Sequence, residues 1–146
     1  LIGAKMIEER IIRDAPQEWE SLKTNTSNYL DALIVLLKDS SRKDFINGCV
    51  LGTLIQELSC EEEEDFHEAL NKAVDGLEAT FILQLQKAKD AKEIKADTNI
   101  EEVSIFLISI LEGAMMVSKM KGNASRYDQC TNQMINYLNT LRIELL

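Results

Sequence analysis

Apolar residues recur at steps of three and four along almost the whole chain, and no stretch alternates with a period of two for long. This spacing predicts helices rather than strands. Residues 1–13 fit the end of a helix that begins upstream of Leu1. Residues 17–38 fit a second helix, after a break at Asp14 and Pro16, which suit a helix cap and a first turn. The buried stripe predicted on this second helix is Trp19, Leu22, Thr26, Tyr29 or Leu30, Leu33 and Leu37.

A polar break at residues 39–42 leads into the middle of the chain. We expect a short helix at residues 43–47, a turn at Gly48, and a helix that restarts near Val50 and ends near Leu58. Glycine suits such a turn because it adopts backbone conformations that other residues resist.

Two capping boxes mark the starts of two long helices, because the side chains of such a box bond to amide groups that a first turn leaves unpaired. They are Ser59 with Glu62, before a helix at residues 61–92, and Thr98 with Glu101, before a helix at residues 99–121. Gly122 and Asn123 are a helix stop, and a last helix is predicted over residues 125–146. The predicted fold is all-α, a single helical domain of about seven helices.

Both long helices carry apolar residues on two sides, at 100° per residue. The core-facing sides are predicted to be Phe66, Leu70, Ala73, Leu77, Phe81, Gln84 and Ala88 on the first helix, and Val103, Phe106, Ile110, Ala114 and Val117 on the second. The opposite sides are Ala79, Ile82, Leu83 and Gln86 on the first helix, and Ile105, Ile108, Glu112, Met115 and Met116 on the second.

These second faces predict a homodimer, since contiguous apolar surface usually marks an interface. Pairing the two long C-terminal-half helices across a twofold axis would give a four-helix dimer interface. In this dimer Glu112 would find a donor across the axis or near its edge, because an unpaired buried carboxylate is costly. Cover of the second faces by other helices of the same chain is the alternative. Ile108→Arg would split the dimer without unfolding the helices.

Composition agrees with one globular domain. The chain has 146 residues, of which 45% are apolar. Its net charge is −9 and it has no basic stripe, and this charge argues against DNA binding by this segment.

The three cysteines, Cys49, Cys60 and Cys130, have no CxxC spacing and fit a reducing compartment. The most apolar stretch, residues 103–117, is shorter than the roughly 18 residues that a membrane span needs. We therefore expect a cytoplasmic protein that does not contact membranes.

Metal and catalytic chemistry are not expected. Glu64 and His67 have the E-x-x-H spacing of di-iron bundles, but His67 is the only histidine, so the second half of such a site cannot form. The acidic run at residues 61–65 is better explained by the positive end of a helix dipole. Without a Gly-x-Ser-x-Gly or phosphate-binding glycine loop, the sequence predicts neither an enzyme nor a cofactor.

Two motifs resemble the carboxy-terminal domain of TetR-family transcriptional repressors. Residues 48–54, Gly-Cys-Val-Leu-Gly-Thr-Leu, are similar to a Gly-Cys-hydrophobic-Leu-Gly-Asn-Leu pattern of that family, with Thr53 in place of the usual Asn. Residues 57–59 fit the Glu-Leu-Ser that follows. Residues 111–114 match Leu-Glu-Gly-Ala, with Lys119 and Gly122 in the expected places downstream. The resemblance runs from Leu1 to about Leu141.

The resemblance implies that residues 1–146 are one effector-binding and dimerisation domain. Residues 1–13 would link it to a missing amino-terminal helix-turn-helix domain, the only part to contact DNA. The early helices would enclose a pocket for an unknown small-molecule effector, which shifts a two-state equilibrium. The implied function is an effector-responsive repressor. The alternative is a stand-alone helical dimeric scaffold or adaptor, and the coding sequence upstream of Leu1 would separate the two.

The candidate effector-binding residues are Trp19, Tyr29, Phe45, Cys49 and Phe81. Among them Cys49 is also a candidate sensor of electrophiles or oxidants, because a helix N-terminus favours the thiolate. The alternative for Cys49 is inert packing.

Overall fold

The computed structural model describes residues 28–39, 48–57 and 64–144. They form five helices: α1 (Tyr29–Asp39), α2 (Val50–Glu57), α3 (Glu64–Asp90), α4 (Ile100–Lys121) and α5 (Ser125–Thr140). Within these ranges there is no strand, only one isolated antiparallel bridge between Ile94 and Arg142. The all-α prediction is confirmed. The predicted helices at residues 1–13 and 43–47, and the capping box at Ser59, lie outside the described residues.

Glycines mark two of the helix boundaries as the sequence predicts. Gly48 has a φ of +74° and precedes α2. Gly122 has a φ of +67°, and its N–H donates to the carbonyl of Lys119 at the end of α4. Residues other than glycine are strained at these positive φ angles. None of the helices in the described ranges combines the length and apolarity needed to cross a membrane.

Two helix starts differ from the prediction, and in both an asparagine is the cap. The helix predicted at residues 17–38 is not continuous through Asn28: α1 begins at Tyr29, and Asn28 Oδ1 accepts the N–H of Asp31 at 2.8 Å. At α4, Asn99 takes the role expected of Thr98, because its Oδ1 accepts the N–H of Glu102 at 3.2 Å. Asparagine is among the best N-cap residues.

The core lies between α1, α3, α4 and α5. Its buried side chains include Leu30, Leu33 and Leu37 of α1, Phe81, Leu85 and Ala88 of α3, Leu107 and Ile108 of α4, and Met134 and Leu138 of α5. The predicted core face of residues 61–92 is confirmed at Leu70, Ala73, Phe81, Gln84 and Ala88. A second cluster forms around Tyr127, which is fully buried and donates its hydroxyl to the carbonyl of Leu37 at 3.4 Å.

The core-facing side of α4 differs from the predicted one. Phe106, predicted in the core, is 42% exposed, whereas Ile108, predicted on the free face, is 7% exposed and belongs to the core. The most buried positions are Ser104, Leu107 and Ser118. The reason is that α3 and α5 both pack against α4. Together they cover the side of α4 that carries Leu107 and Ile108, and they leave Phe106 partly exposed. The assignment of Ile108 to a free face is therefore wrong.

The loop between α3 and α4 joins the start of α1 to the end of α5. The Glu93 carboxylate accepts the N–H of Tyr29 at 3.1 Å and of Leu30 at 2.9 Å. The backbone of the same loop bonds to the residues after α5, with Lys95 N–H donating to the carbonyl of Leu141 at 2.9 Å. These bonds end α5 at Thr140, earlier than the predicted 146. Arg142, just beyond, forms an ion pair with Asp31 of α1.

We predict that Glu93→Ala destabilises the domain by about 2–4 kcal/mol, because two N–H groups at the start of α1 lose a charged acceptor. Urea unfolding followed by circular dichroism measures this loss. Glu101→Ala is the matched control, since Glu101 is exposed in the first turn of α4 and should cost less than about 1 kcal/mol. Equal losses in the two variants would contradict the importance of the Glu93 contact.

Candidate functional site

A cleft of about 200 Å³ lies between α2 and α4. From the α2 side it is lined by Gly48, Cys49, Gly52, Thr53 and Gln56. From α4 it is lined by Glu112, Met116 and Lys119, which follow one another at helical steps of four and three. The two motifs that carry the resemblance to TetR-family repressors therefore meet at one place in the fold.

Gly52 leaves room for the Glu112 side chain of α4 to lie against α2. A Cβ atom at Gly52 would overlap Oε2 of Glu112, so any other residue would force the carboxylate to move. Glu112 is half-buried and lines this cleft. The sequence predicts that it lies in a dimer seam, with a donor across the twofold axis or near its edge. Within the single chain, the carboxylate lies against α2.

Lys119 covers the turn at the start of α2. A Cβ atom at Gly48 would lie 3.1 Å from Cδ of Lys119, tighter than an ordinary contact. Glu112 and Lys119 are seven residues apart, two helical turns, so they lie on one side of α4 with opposite charges. The cleft can therefore offer an anion and a cation to the same small molecule.

Cys49 lies at the start of α2 and is half-buried in this cleft. Its carbonyl accepts two bonds from Thr53, from the backbone N–H at 2.9 Å and from Oγ1 at 2.9 Å. The sequence offers no cation within four residues of Cys49. The fold supplies one, Lys119, in the wall of the same cleft.

The other predicted effector-binding residues lie elsewhere. Phe81 is buried in the core, and Tyr29 is half-buried against it. Trp19 and Phe45 fall outside the described residues. Of the three candidates within the described residues, Cys49 is the one that lines the cleft. The sequence missed Gln56, Glu112, Met116 and Lys119 as cleft residues. Helical spacing puts the last three on one side of α4, but only the fold shows that this side meets α2.

The predicted interface residues divide into several groups. On α3, Ala79, Leu83 and Gln86 are exposed, whereas Ile82 is half-buried against the core. On α4, Ile105 is 46% exposed and Met116 is 47% exposed. Met115 packs against the cluster of Ala114 and Tyr127, and Ile108 is buried as described above.

A largely uncharged surface runs over α4 and α5, and we call it the α4–α5 face. It is defined by Ile105, Ser109, Gly113, Met116 and Met120 of α4 and by Gln129, Asn132, Gln133 and Asn136 of α5. All of these are exposed except the half-buried Gly113. Phe106 and Tyr137 join the two helices with ring centroids 5.0 Å apart and an interplanar angle of 64°.

No group of three His, Cys, Asp or Glu side chains within the described ranges is arranged to hold a metal ion. His67 lies on α3 and is half-buried. The side chain of Glu64, its partner in the E-x-x-H spacing, lies outside the described side chains.

Comparison with known proteins identifies the family. The family described as "Tetracyclin repressor-like, C-terminal domain" matches residues 28–134. The chain therefore belongs to the C-terminal domains of the TetR family. No curated protein sequence matches it.

Two solved structures share the fold. One is a TetR-family transcriptional regulator from Cytophaga hutchinsonii, with a TM-score of 0.72 and 15% identity over 87% of this chain and 65% of that chain. The other is the regulatory protein TetR from Rhodobacter sphaeroides, with a TM-score of 0.74 and 18% identity over 92% of this chain and 73% of that chain. The chain thus spans less than two thirds of the length of the Cytophaga regulator.

Proposed function

We propose that this chain is the effector-responsive regulatory domain of a transcriptional repressor, and that its effector binds between α2 and α4. The observation that carries the proposal is the meeting of the two family motifs around one cleft. Glu112 and Lys119 give this cleft one charge of each sign. An effector with both an anionic and a cationic or hydrogen-bond-donating group matches it best.

The cleft is placed where a small molecule could change the shape of the domain. Because the Glu112 side chain of α4 lies against Gly52 of α2, a ligand held between them would displace this carboxylate and change the spacing of the two helices. The ligand would then shift the population towards whichever of two arrangements of α2 and α4 binds it more tightly. The size of this shift is set by the difference in the ligand's affinity for the two arrangements. Since α4 also carries the α4–α5 face, this shift would reach any partner bound there.

We propose that the α4–α5 face is the homodimer interface. Three large apolar side chains of this face are exposed in the single chain: Ile105 at 46%, Met116 at 47% and Met120 at 77%. A Cβ atom at Gly113 would meet nothing within 4 Å, so a second copy can approach the backbone of α4 there. This proposal moves the interface from α3 and α4 to α4 and α5, because α5 offers an uncharged exposed surface.

DNA recognition in this proposal belongs to a helix-turn-helix domain encoded upstream of Leu1. The net charge of −9 opposes binding of DNA phosphates by this domain itself. Reading the coding sequence upstream of Leu1 tests the proposal. An in-frame basic helix-turn-helix segment supports the repressor, whereas a start codon near Leu1 would support a stand-alone dimeric scaffold instead.

We predict that iodoacetamide labels Cys49 several-fold faster than Cys130. Lys119 lines the same cleft as Cys49, and a nearby cation favours the reactive thiolate. Cys130 is also half-buried but packs against the apolar cluster of Ala114 and Tyr127. Peptide mass spectrometry over a time course measures both rates in the same sample.

Lys119→Gln is the matched variant for this prediction. Lys119 is exposed, so the fold should be unaffected, while the labelling of Cys49 should slow and that of Cys130 should not. Equal labelling rates for the two thiols, or a Cys49 rate that is the same in Lys119→Gln as in the wild type, would show that Cys49 is a packing residue and not a sensor.

A further inference from the structure

The cleft between α2 and α4 holds two opposite charges that do not pair with each other. Its acidic lining residue is Glu112 and its basic one is Lys119. Each side chain lies over a glycine near the start of α2, with Glu112 Oε2 at Gly52 and Lys119 Cδ at Gly48. Among the described residues, neither side chain has an ion-pair or hydrogen-bond partner. A half-buried carboxylate without a partner is costly, and a bound cationic group would offset that cost.

The spacing of Glu112 and Lys119 along α4 sets the length of a ligand that contacts both. An α-helix rises about 1.5 Å per residue, so seven residues separate their Cα atoms by about 10 Å along the axis. A charge-assisted hydrogen bond takes about 2.8 Å at each end of the ligand. If the two side chains leave α4 side by side, a bridging ligand has its own opposite charges about 5 Å apart.

The rest of the wall also favours a small polar ligand. The volume of about 200 Å³ is below the range of about 300–1,000 Å³ that is usual for pockets of drug-sized molecules. Thr53 and Gln56 add polar side chains, and the described lining residues include no aromatic ring. Met116 is shared with the α4–α5 face, whereas Glu112 and Lys119 lie outside that face, so dimer formation there does not use the two charges.

We propose that the effector of this cleft is a short zwitterion, an amino acid whose ammonium and carboxylate groups lie about 5 Å apart or closer. The ammonium group of the ligand pairs with the Glu112 carboxylate. The carboxylate of the ligand pairs with the Lys119 ammonium group, near Gly48. This assignment rests on the proposed function, because it names the ligand of the same cleft and gives the ligand an orientation.

An NMR titration of the 146-residue chain with three four-carbon probes tests the proposal. The probes are 4-aminobutanoate, which carries both charges about 5 Å apart, butanoate, which carries only the anion, and butylammonium, which carries only the cation. At neutral pH and low salt, 4-aminobutanoate should shift the resonances of Gly48, Gly52 and Thr53 and should saturate by about 10 mM. The singly charged probes should bind at least about tenfold more weakly, because each makes one contact instead of two.

Two substitutions separate the contacts. Glu112→Gln should weaken the binding of 4-aminobutanoate and butylammonium about tenfold and should not weaken that of butanoate. Lys119→Gln should weaken the binding of 4-aminobutanoate and butanoate and should not weaken that of butylammonium. The matched controls, Glu101→Gln and Lys121→Gln, remove the same charges at the two ends of α4, outside the cleft, and should bind every probe as the wild type does. Circular dichroism checks that each variant is folded.

Three results would overturn the proposal. The first is a singly charged probe that binds in the cleft as tightly as 4-aminobutanoate, which would leave the effector cleft standing with a different class of ligand. The second is binding of 4-aminobutanoate that Glu112→Gln and Lys119→Gln weaken no more than the controls do. The third is the absence of saturable shifts with 4-aminobutanoate. The repressor assignment has its separate test in the coding sequence upstream of Leu1, so its failure would be distinguishable from each of these results.

Discussion

Ile108→Arg is expected to unfold the domain. Ile108 is 7% exposed and lies in the main core cluster. The substitution removes about 1.5–3 kcal/mol of apolar burial and places a cation without a partner in an apolar site, which costs several kcal/mol more. A loss above about 4 kcal/mol approaches the lower end of the 5–15 kcal/mol that holds a typical domain folded. Thermal melting followed by circular dichroism measures this loss.

Ile55→Arg is the matched control for this experiment. Ile55 has the same side chain but lies on α2, outside the α4–α5 face, and is 45% exposed. Its replacement should leave the helicity at low temperature unchanged and should alter the stability of the fold by no more than about 0.5 kcal/mol. An Ile108→Arg variant that melts like the wild type would show that Ile108 is not in the core.

The helices themselves could be predicted because their signals are local. The periodicity of apolar residues, the turn at Gly48 and the stop at Gly122 each act within a few residues of where they appear. The cap of α4 could not be predicted from the sequence, because Thr98 and Asn99 are neighbouring residues that can both cap a helix. The choice between them depends on which side chain reaches the N–H of Glu102.

The packing of α4 could not be predicted for a different reason. Both sides of this helix carry apolar residues, so the sequence alone does not decide whether Phe106 or Ile108 faces the core. That choice is made by α3 and α5, which pack on either side. The Glu93 contact with Tyr29 and Leu30 is similar, because it spans 63 and 64 residues and leaves no periodic signal.

The cleft was predictable only in part. Its two motifs were recognised separately, and Cys49 was a candidate residue. The contact between Gly52 and Glu112 joins residues that are distant in sequence, and it depends on the missing side chain of Gly52. Lys119 could be assigned to the cleft only once the fold placed it over Gly48.

Ser109→Arg is expected to split the homodimer while leaving the helices folded. Ser109 is exposed near the middle of the α4–α5 face. Two copies related by a twofold axis would bring two arginines close together, and like charges that meet in an interface cost several kcal/mol. Because the side chain points to solvent in the single chain, the substitution should leave helicity by circular dichroism unchanged.

Ala79→Arg serves as the control that separates the two possible interfaces. Ala79 is exposed on α3, on the surface that the sequence assigned to the dimer. If the α4–α5 face is the interface, the Ala79→Arg variant remains dimeric. Dissociation of this variant, with a Ser109→Arg variant that stays dimeric, would place the interface on α3 instead.

Sedimentation equilibrium at tens of micromolar is the most direct measurement of the central claim, that the chain is a regulatory domain dimerising through the α4–α5 face. The wild type should show twice the 16.5 kDa mass of the chain, and the Ser109→Arg variant should show the mass of one chain with unchanged helicity. A wild-type chain that sediments as a monomer, or a Ser109→Arg variant that keeps the dimer mass, would contradict it.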